Sequence, residues 1–156
     1  MKTFTIKTAS AEETIALGER LGKILRGGVL LTLFGDLAAG KTTFTRGIAK
    51  GLDIKDGVSS PTFTLIHEHE GRLRLCHADL YRLSCPEEID TIGIEEYIDS
   101  DCVTVTEWSE RFEDELPENR IDIVIKRTGE EERTFVFRSE AVGDIVEELE
   151  NACSCR

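Results

Sequence analysis

Eight residues, Gly35-Asp36-Leu37-Ala38-Ala39-Gly40-Lys41-Thr42, constrain the fold of this chain more than any other stretch. They fit G-x-x-x-x-G-K-[ST], a loop whose backbone N–H groups surround a polyphosphate at the start of a helix. The flanking segments are what such a P-loop needs. Gly28 to Phe34 (GVLLTLF) is short and apolar and follows a glycine, so it reads as a buried strand. Thr43 to Gly51 (TFTRGIAKG) reads as a helix closed by a glycine. Strand, loop and helix together predict an α/β domain with parallel core strands around the loop, antiparallel additions and flanking helices. In such a loop Lys41 reaches the outer phosphates and the Thr42 hydroxyl is placed for Mg²⁺. Gly35, Asp36, Leu37, Ala38, Ala39, Gly40 and Thr43 complete the cradle for the polyphosphate.

A chain of 156 residues carries one such domain and no second core, so residues 1–156 are expected to form a single unit. No apolar stretch is long enough to span a membrane, and the first residues lack the apolar centre of a signal peptide. A cytoplasmic protein is expected. Net charge is −12, and residues 107–150 hold 15 acidic against 6 basic residues. That imbalance argues against strong direct binding to nucleic acid. It leaves open a basic protein partner or a merely solvated, repulsive face.

Lys2 to Lys7 alternates as a strand, and Ser10-Ala11-Glu12-Glu13 is a capping box. The helix behind it carries Ile15, Leu17, Leu21, Ile24 and Leu25 and stops at Gly27-Gly28. Thr62 to Glu68 and Arg72 to Ala78 read as a hairpin turning at Glu70-Gly71. Ser84-Cys85-Pro86-Glu87 is a second capping box, opening a helical stretch to Ile98. Cys102 to Trp108 is a further strand, and Arg120 to Lys126 with Arg133 to Arg138 a late hairpin. A helix over Ala141 to Leu149 follows, and the last few residues are expected to fray.

Hydrolysis needs an acid for Mg²⁺ and a group that positions the attacking oxygen. Asp79 ends the series Leu73, Leu75, His77, Asp79, and Glu107 ends Val103, Val105, Glu107, each at period two. Carboxylates at strand C-termini lie where α/β ligand sites form. Asp79 is the better Mg²⁺ partner and Glu107 the better group to orient water, with helix caps or surface acids as the alternatives. Thr62, behind Ser59-Ser60-Pro61, has the setting of a switch threonine or of ordinary loop material. His67, His69 and His77 lack an obvious fourth ligand for zinc and read better as locally packed histidines. Five cysteines without a C-x-x-C pair point away from disulfides. No motif marks a base pocket; the segment near Glu13 and Thr14 is the place considered.

The guanine-reading N-K-x-D of GTPases is absent, and Asp90-Thr91-Ile92-Gly93 follows a helix start rather than a buried strand. No arginine-rich lid marks a small-molecule kinase. Three readings stand: an ATPase, a nucleotide-switched assembly module without essential hydrolysis, and, least favoured, a small-molecule kinase.

An ordered set of segments resembles the TsaE (YjeE) family of bacterial P-loop ATPases over nearly the whole chain. The segments are Gly35-Asp36-Leu37 with Gly40-Lys41-Thr42-Thr43-Phe44, Val58 to Leu65 (VSSPTFTL), His77 to Leu83 (HADLYRL) and Thr106-Glu107-Trp108. The resemblance implies ATP hydrolysis supporting threonylcarbamoylation of the tRNA adenosine next to the anticodon, by enabling turnover of a complex of TsaB and TsaD. It implies that Lys41 and Thr42 hold phosphate and Mg²⁺, that Asp79 and Glu107 are the Mg²⁺-associated and catalytic acids, that Thr62 is switch-like, and that Trp108 lies beside the nucleotide. Ala38 stands where the family usually has glycine, which adds backbone strain if that position needs positive φ. Ser109 stands where proline usually follows Glu-Trp.

Overall fold

The alternation of apolar residues becomes one seven-stranded sheet in the computed structural model, which describes residues 1–35, 40–55, 66–79, 101–107 and 119–154. The described elements are β1 (Lys2–Thr8), α1 (Ala11–Ile24), β2 (Leu30–Phe34), α2 (Lys41–Gly51), β3 (Ile66–His69), β4 (Arg74–Asp79), β5 (Cys102–Glu107), β6 (Arg120–Arg127), β7 (Arg133–Ser139) and α3 (Gly143–Ser154). Strand order is β1-β7-β6-β2-β5-β4-β3. The four central strands, β6, β2, β5 and β4, run parallel. Strand β3 pairs antiparallel with β4, β7 with β6, and β1 with β7. The late hairpin is thus split in role: β6 belongs to the parallel core, and β7 turns back to meet the first strand.

Strand β2 is central, and all five of its residues are buried, as expected for a parallel strand covered on both faces. Strand β6 hides only Ile121, Ile123 and Ile125, in strict alternation. One sheet face, with Leu31, Leu33, Val105, Ile123, Phe135 and Phe137, packs against Leu17 and Leu21 of α1, Phe44 and Ile48 of α2, and Ile145 and Leu149 of α3. Phe44, three residues past the lysine of the P-loop, sets its ring 4.9 Å from that of Phe135. Full burial of such a side chain contributes roughly 2–3 kcal/mol and fixes the helix on the sheet.

Helix α1 starts as its sequence requires. Glu13 N–H donates to Ser10 Oγ at 3.1 Å, while the Glu13 carboxylate accepts the Ala9 N–H at 2.8 Å. The reciprocal bond reaches one residue further back than a capping box usually does. The helix ends at Ile24, before Gly27-Gly28, because Leu25 turns to extended backbone. Arg72, from the β3–β4 turn, takes over the end: its Nη2 donates to the Gly22 and Leu25 carbonyls at 2.7 and 3.0 Å.

Helices α1 and α2 cross through glycines that the apolar pattern did not mark. A Cβ on Gly18 would lie 2.5 Å from Phe44 O, and one on Gly22 2.4 Å from Ile48 O. From the other side, a Cβ on Gly47 would lie 2.3 Å from Ile15 O, and one on Gly51 2.3 Å from Glu19 O. The two Gly-x-x-x-Gly pairs therefore bring backbone against backbone.

The expected fraying is corrected at Cys153 and Ser154. Helix α3 continues to Ser154, because Cys153 follows Ile145 and Leu149 on the apolar face and is buried. Cys76 and Cys102 are also buried cysteines, on neighbouring strands with sulfurs 3.5 Å apart. Burial pushes the Cys76 thiol far above its ordinary range, and the contact with Cys102 adds to this. Among the described residues no helix is long and apolar enough to cross a membrane. The expected helices between Ser84 and Ile98 lie outside the described residues.

Candidate functional site

Gly40 occupies the N-cap of α2 with φ 99° and ψ 21°, a left-handed conformation that L side chains rarely adopt. Its carbonyl accepts the Phe44 N–H at 2.9 Å and so begins the helix. The first turn of α2 contains no acidic residue to offset the positive end of the helix dipole. Lys41 is only 4% exposed, and its Nζ donates to the Gly35 carbonyl at 2.6 Å. A buried ammonium at a helix N-terminus, behind a left-handed glycine, is an arrangement fit for a phosphate group. Thr42 and Thr43 follow in the first turn, both half-buried.

Three neighbouring parallel strands bring the acids to the same end. Leu33 of β2 is opposite Glu107 of β5, and Glu107 is opposite Asp79 of β4. Gly35, the first residue of the P-loop, lies two residues beyond Leu33. The C-terminal edge of the sheet thus gathers the loop, Glu107 and the Asp79 backbone, the place where open parallel sheets form ligand sites. Glu107 is 4% exposed, and its Oε2 lies 2.9 Å from His77 Nε2. His77 is therefore turned toward a carboxylate, with His67 opposite it in the β3–β4 register. Among the described residues no group of three His, Cys, Asp or Glu is arranged to hold a metal ion. The side chain of Asp79 and residues Asp36, Leu37, Ala38, Ala39, Thr62 and Trp108 lie outside the described residues.

Sequence reasoning missed one wall of the site. A cleft of about 240 Å³ opens beside the P-loop, lined by Ala11 and Thr14 of α1, Gly40 and Thr43, and Glu130, Glu131 and Arg133 of the β6–β7 hairpin. Thr14, one of the two residues considered for the base, lines it. Glu13 is engaged in the helix cap. The Arg133 guanidinium is held by the turn, with Nη1 donating to the carbonyls of Glu132, Glu130 and Gly129 at 2.8, 3.2 and 3.3 Å. No local motif marks Arg133, because only the β7–β6 pairing carries the hairpin tip to the P-loop.

Known proteins share this fold and resemble this sequence. The family model described as "Threonylcarbamoyl adenosine biosynthesis protein TsaE" matches residues 8–135. The chain is 44% identical to the tRNA threonylcarbamoyladenosine biosynthesis protein TsaE of Bacillus subtilis over 150 residues, covering 96% of this chain and 92% of the relative. It is 44% identical to the protein of the same name from Treponema pallidum over 117 residues, covering 75% and 87% of the two chains. The crystal structure of Bacillus subtilis YdiB superposes with a TM-score of 0.80 at 38% identity, covering 97% of this chain and 96% of that one. With the family's fold, its ordered segments and these relatives in agreement, the chain belongs to the TsaE family.

Proposed function

We propose that this chain binds and hydrolyses ATP in the cytoplasm in support of tRNA threonylcarbamoyladenosine synthesis, enabling turnover of a TsaB–TsaD complex. The observation that carries the reading is the meeting of buried Lys41, Glu107 and the end of β4 at one edge of the parallel sheet.

In this reading the P-loop amides and Lys41 bind the β- and γ-phosphates, and Lys41 leaves the Gly35 carbonyl to do so. Glu107 orients a water in line with the γ-phosphorus and takes up its proton as the oxygen attacks; the bond to the β–γ bridging oxygen breaks, and ADP leaves. Thr42, Asp79 and Glu107 offer a hydroxyl and carboxylates, an all-oxygen set suited to Mg²⁺, and these residues would hold it. When bound, the ion supplies charge neutralisation on the phosphate oxygens. The cleft between Thr14 and Arg133 would take the base, and Trp108 and Thr62 would complete the nucleotide site on their own segments.

Phosphate release from ATP by the parent chain and Glu107→Ala, alone and with TsaB and TsaD, tests the reading. The expected result is slow release alone, a clear rise with partners, and retained ATP binding with lost turnover in Glu107→Ala. Equal release with and without partners would detach the activity from that complex and bring back the switch and kinase readings.

A further inference from the structure

The pair of His77 and Glu107 is buried more deeply than any other ion-pair contact among the described residues, with side chains 0% and 6% exposed. A fully buried imidazole has two nitrogens to satisfy. Here Nε2 meets Glu107 Oε2 at 2.9 Å, whereas Nδ1 is buried without a hydrogen-bond partner among the described residues. The ring is opposite Val105 in strand register, so it reaches one step along β5 to find the carboxylate. Toward an ionised carboxylate, which only accepts, Nε2 is the nitrogen that donates. Among the described residues one hydrogen bond thus orients this ring, and it is made with the acid assigned to the attacking water.

We propose that His77 is a positioning residue: its Nε2–H engages one oxygen of Glu107 and fixes the carboxylate at the strand end, leaving the other oxygen to address water. The proposal rests on the reading of Glu107 given above. His77 has no part in holding nucleotide, so it acts on the rate and not on affinity. Because Nδ1 has no partner among the described residues, a side chain that supplies only the Nε2 donor is sufficient. Glutamine places its amide nitrogen near that position; leucine fills the space without a donor.

The full chain with TsaB and TsaD is assayed as His77→Gln, His77→Leu and Glu107→Ala, with ATP affinity and melting temperature measured alongside. Loss of one hydrogen bond to a charged acceptor lowers kcat of His77→Leu by roughly 10- to 100-fold. KM and Kd for ATP stay within about twofold, and His77→Gln recovers most of the rate. Imidazole ¹⁵N NMR of the free chain, assigned by the signal lost in His77→Gln, places the hydrogen on Nε2, with that resonance shifted in Glu107→Ala. Parental turnover in His77→Leu, a fall in affinity in step with rate, or a hydrogen on Nδ1 overturns the proposal. If His77→Leu does not fold, His77→Gln decides: parental turnover supports the role, and loss of turnover in a folded, ATP-binding His77→Gln overturns it. Parental turnover in Glu107→Ala instead removes the reading of Glu107, whereas an inactive Glu107→Ala beside an unimpaired His77→Leu removes only the role of His77.

Discussion

Lys41 Nζ donates to the carbonyl oxygen of Gly35 at 2.6 Å, so the lysine ties the first residue of the P-loop to the start of α2. The contact gives the buried ammonium one neutral acceptor. A phosphate oxygen is the stronger partner, since both members of that bond are charged. Lys41→Met keeps the apolar stem and removes the charge. It is expected to weaken ATP binding by roughly 100-fold, the scale of one strong charge-assisted bond. Calorimetric titration checks this, and parental affinity in Lys41→Met would remove the lysine from the site.

Gly47 has no room for a side chain. Its Cβ would lie 2.3 Å from Ile15 O and 3.0 Å from the Ile15 carbonyl carbon, both backbone atoms that cannot rotate away. Alanine gains about 1 kcal/mol of helix propensity, but separating the two helices costs more. Gly47→Ala is expected to lose about 2 kcal/mol net, which for a chain of this size lowers Tm by about 4–8 °C. The exposed Lys50→Ala on the same helix should change stability by less than about 0.5 kcal/mol. Equal Tm for Gly47→Ala and parent would show that the helices separate without cost.

Arg72 terminates α1 from outside the helix, through the Gly22 and Leu25 carbonyls. Arg72→Ala leaves those carbonyls to water and removes a cation from the negative end of the helix. The residue is exposed, so the loss should be about 1 kcal/mol. Hydrogen exchange should quicken in the last turn of α1 before it changes elsewhere. Unchanged exchange there would show that Leu25 alone ends the helix.

Asp144, at the start of α3, meets Arg26 through two hydrogen bonds of 2.8 and 3.2 Å. The hydrogen bond from Arg26 is the main cause holding this carboxyl below its usual range. A folded-state pKa below the unfolded one contributes stability that is present above the unfolded value. That stability is lost as pH falls through the folded value. The pair is exposed, so salt screens it. Asp144→Asn should therefore flatten the acid limb of a stability–pH curve slightly at low salt and leave it unchanged at high salt. An identical acid limb at low salt would mean that the pair does not form in solution.

Spacing alone marked the P-loop, because its chemistry is local: a left-handed glycine, a lysine and a helix start within a few residues. The Ser10 cap and the alternation of β6 were legible for the same reason. Strand parity placed Glu107 and His77 on faces of their strands but could not name their neighbours. His77 read as a locally packed histidine, and only the side-chain contact across β4 and β5 named Glu107 as its partner.

The sequence by itself determined the P-loop, the period of each strand and the acids at the strand ends, since these depend on residues close in the chain. Only the tertiary structure decided that β7 joins β1 to β6, that Gly18 and Gly22 receive the backbone of α2, and that Arg133 reaches the P-loop. Those contacts join residues far apart in the chain, and they are fixed by how sheet and helices exclude water together, a property that no single segment carries.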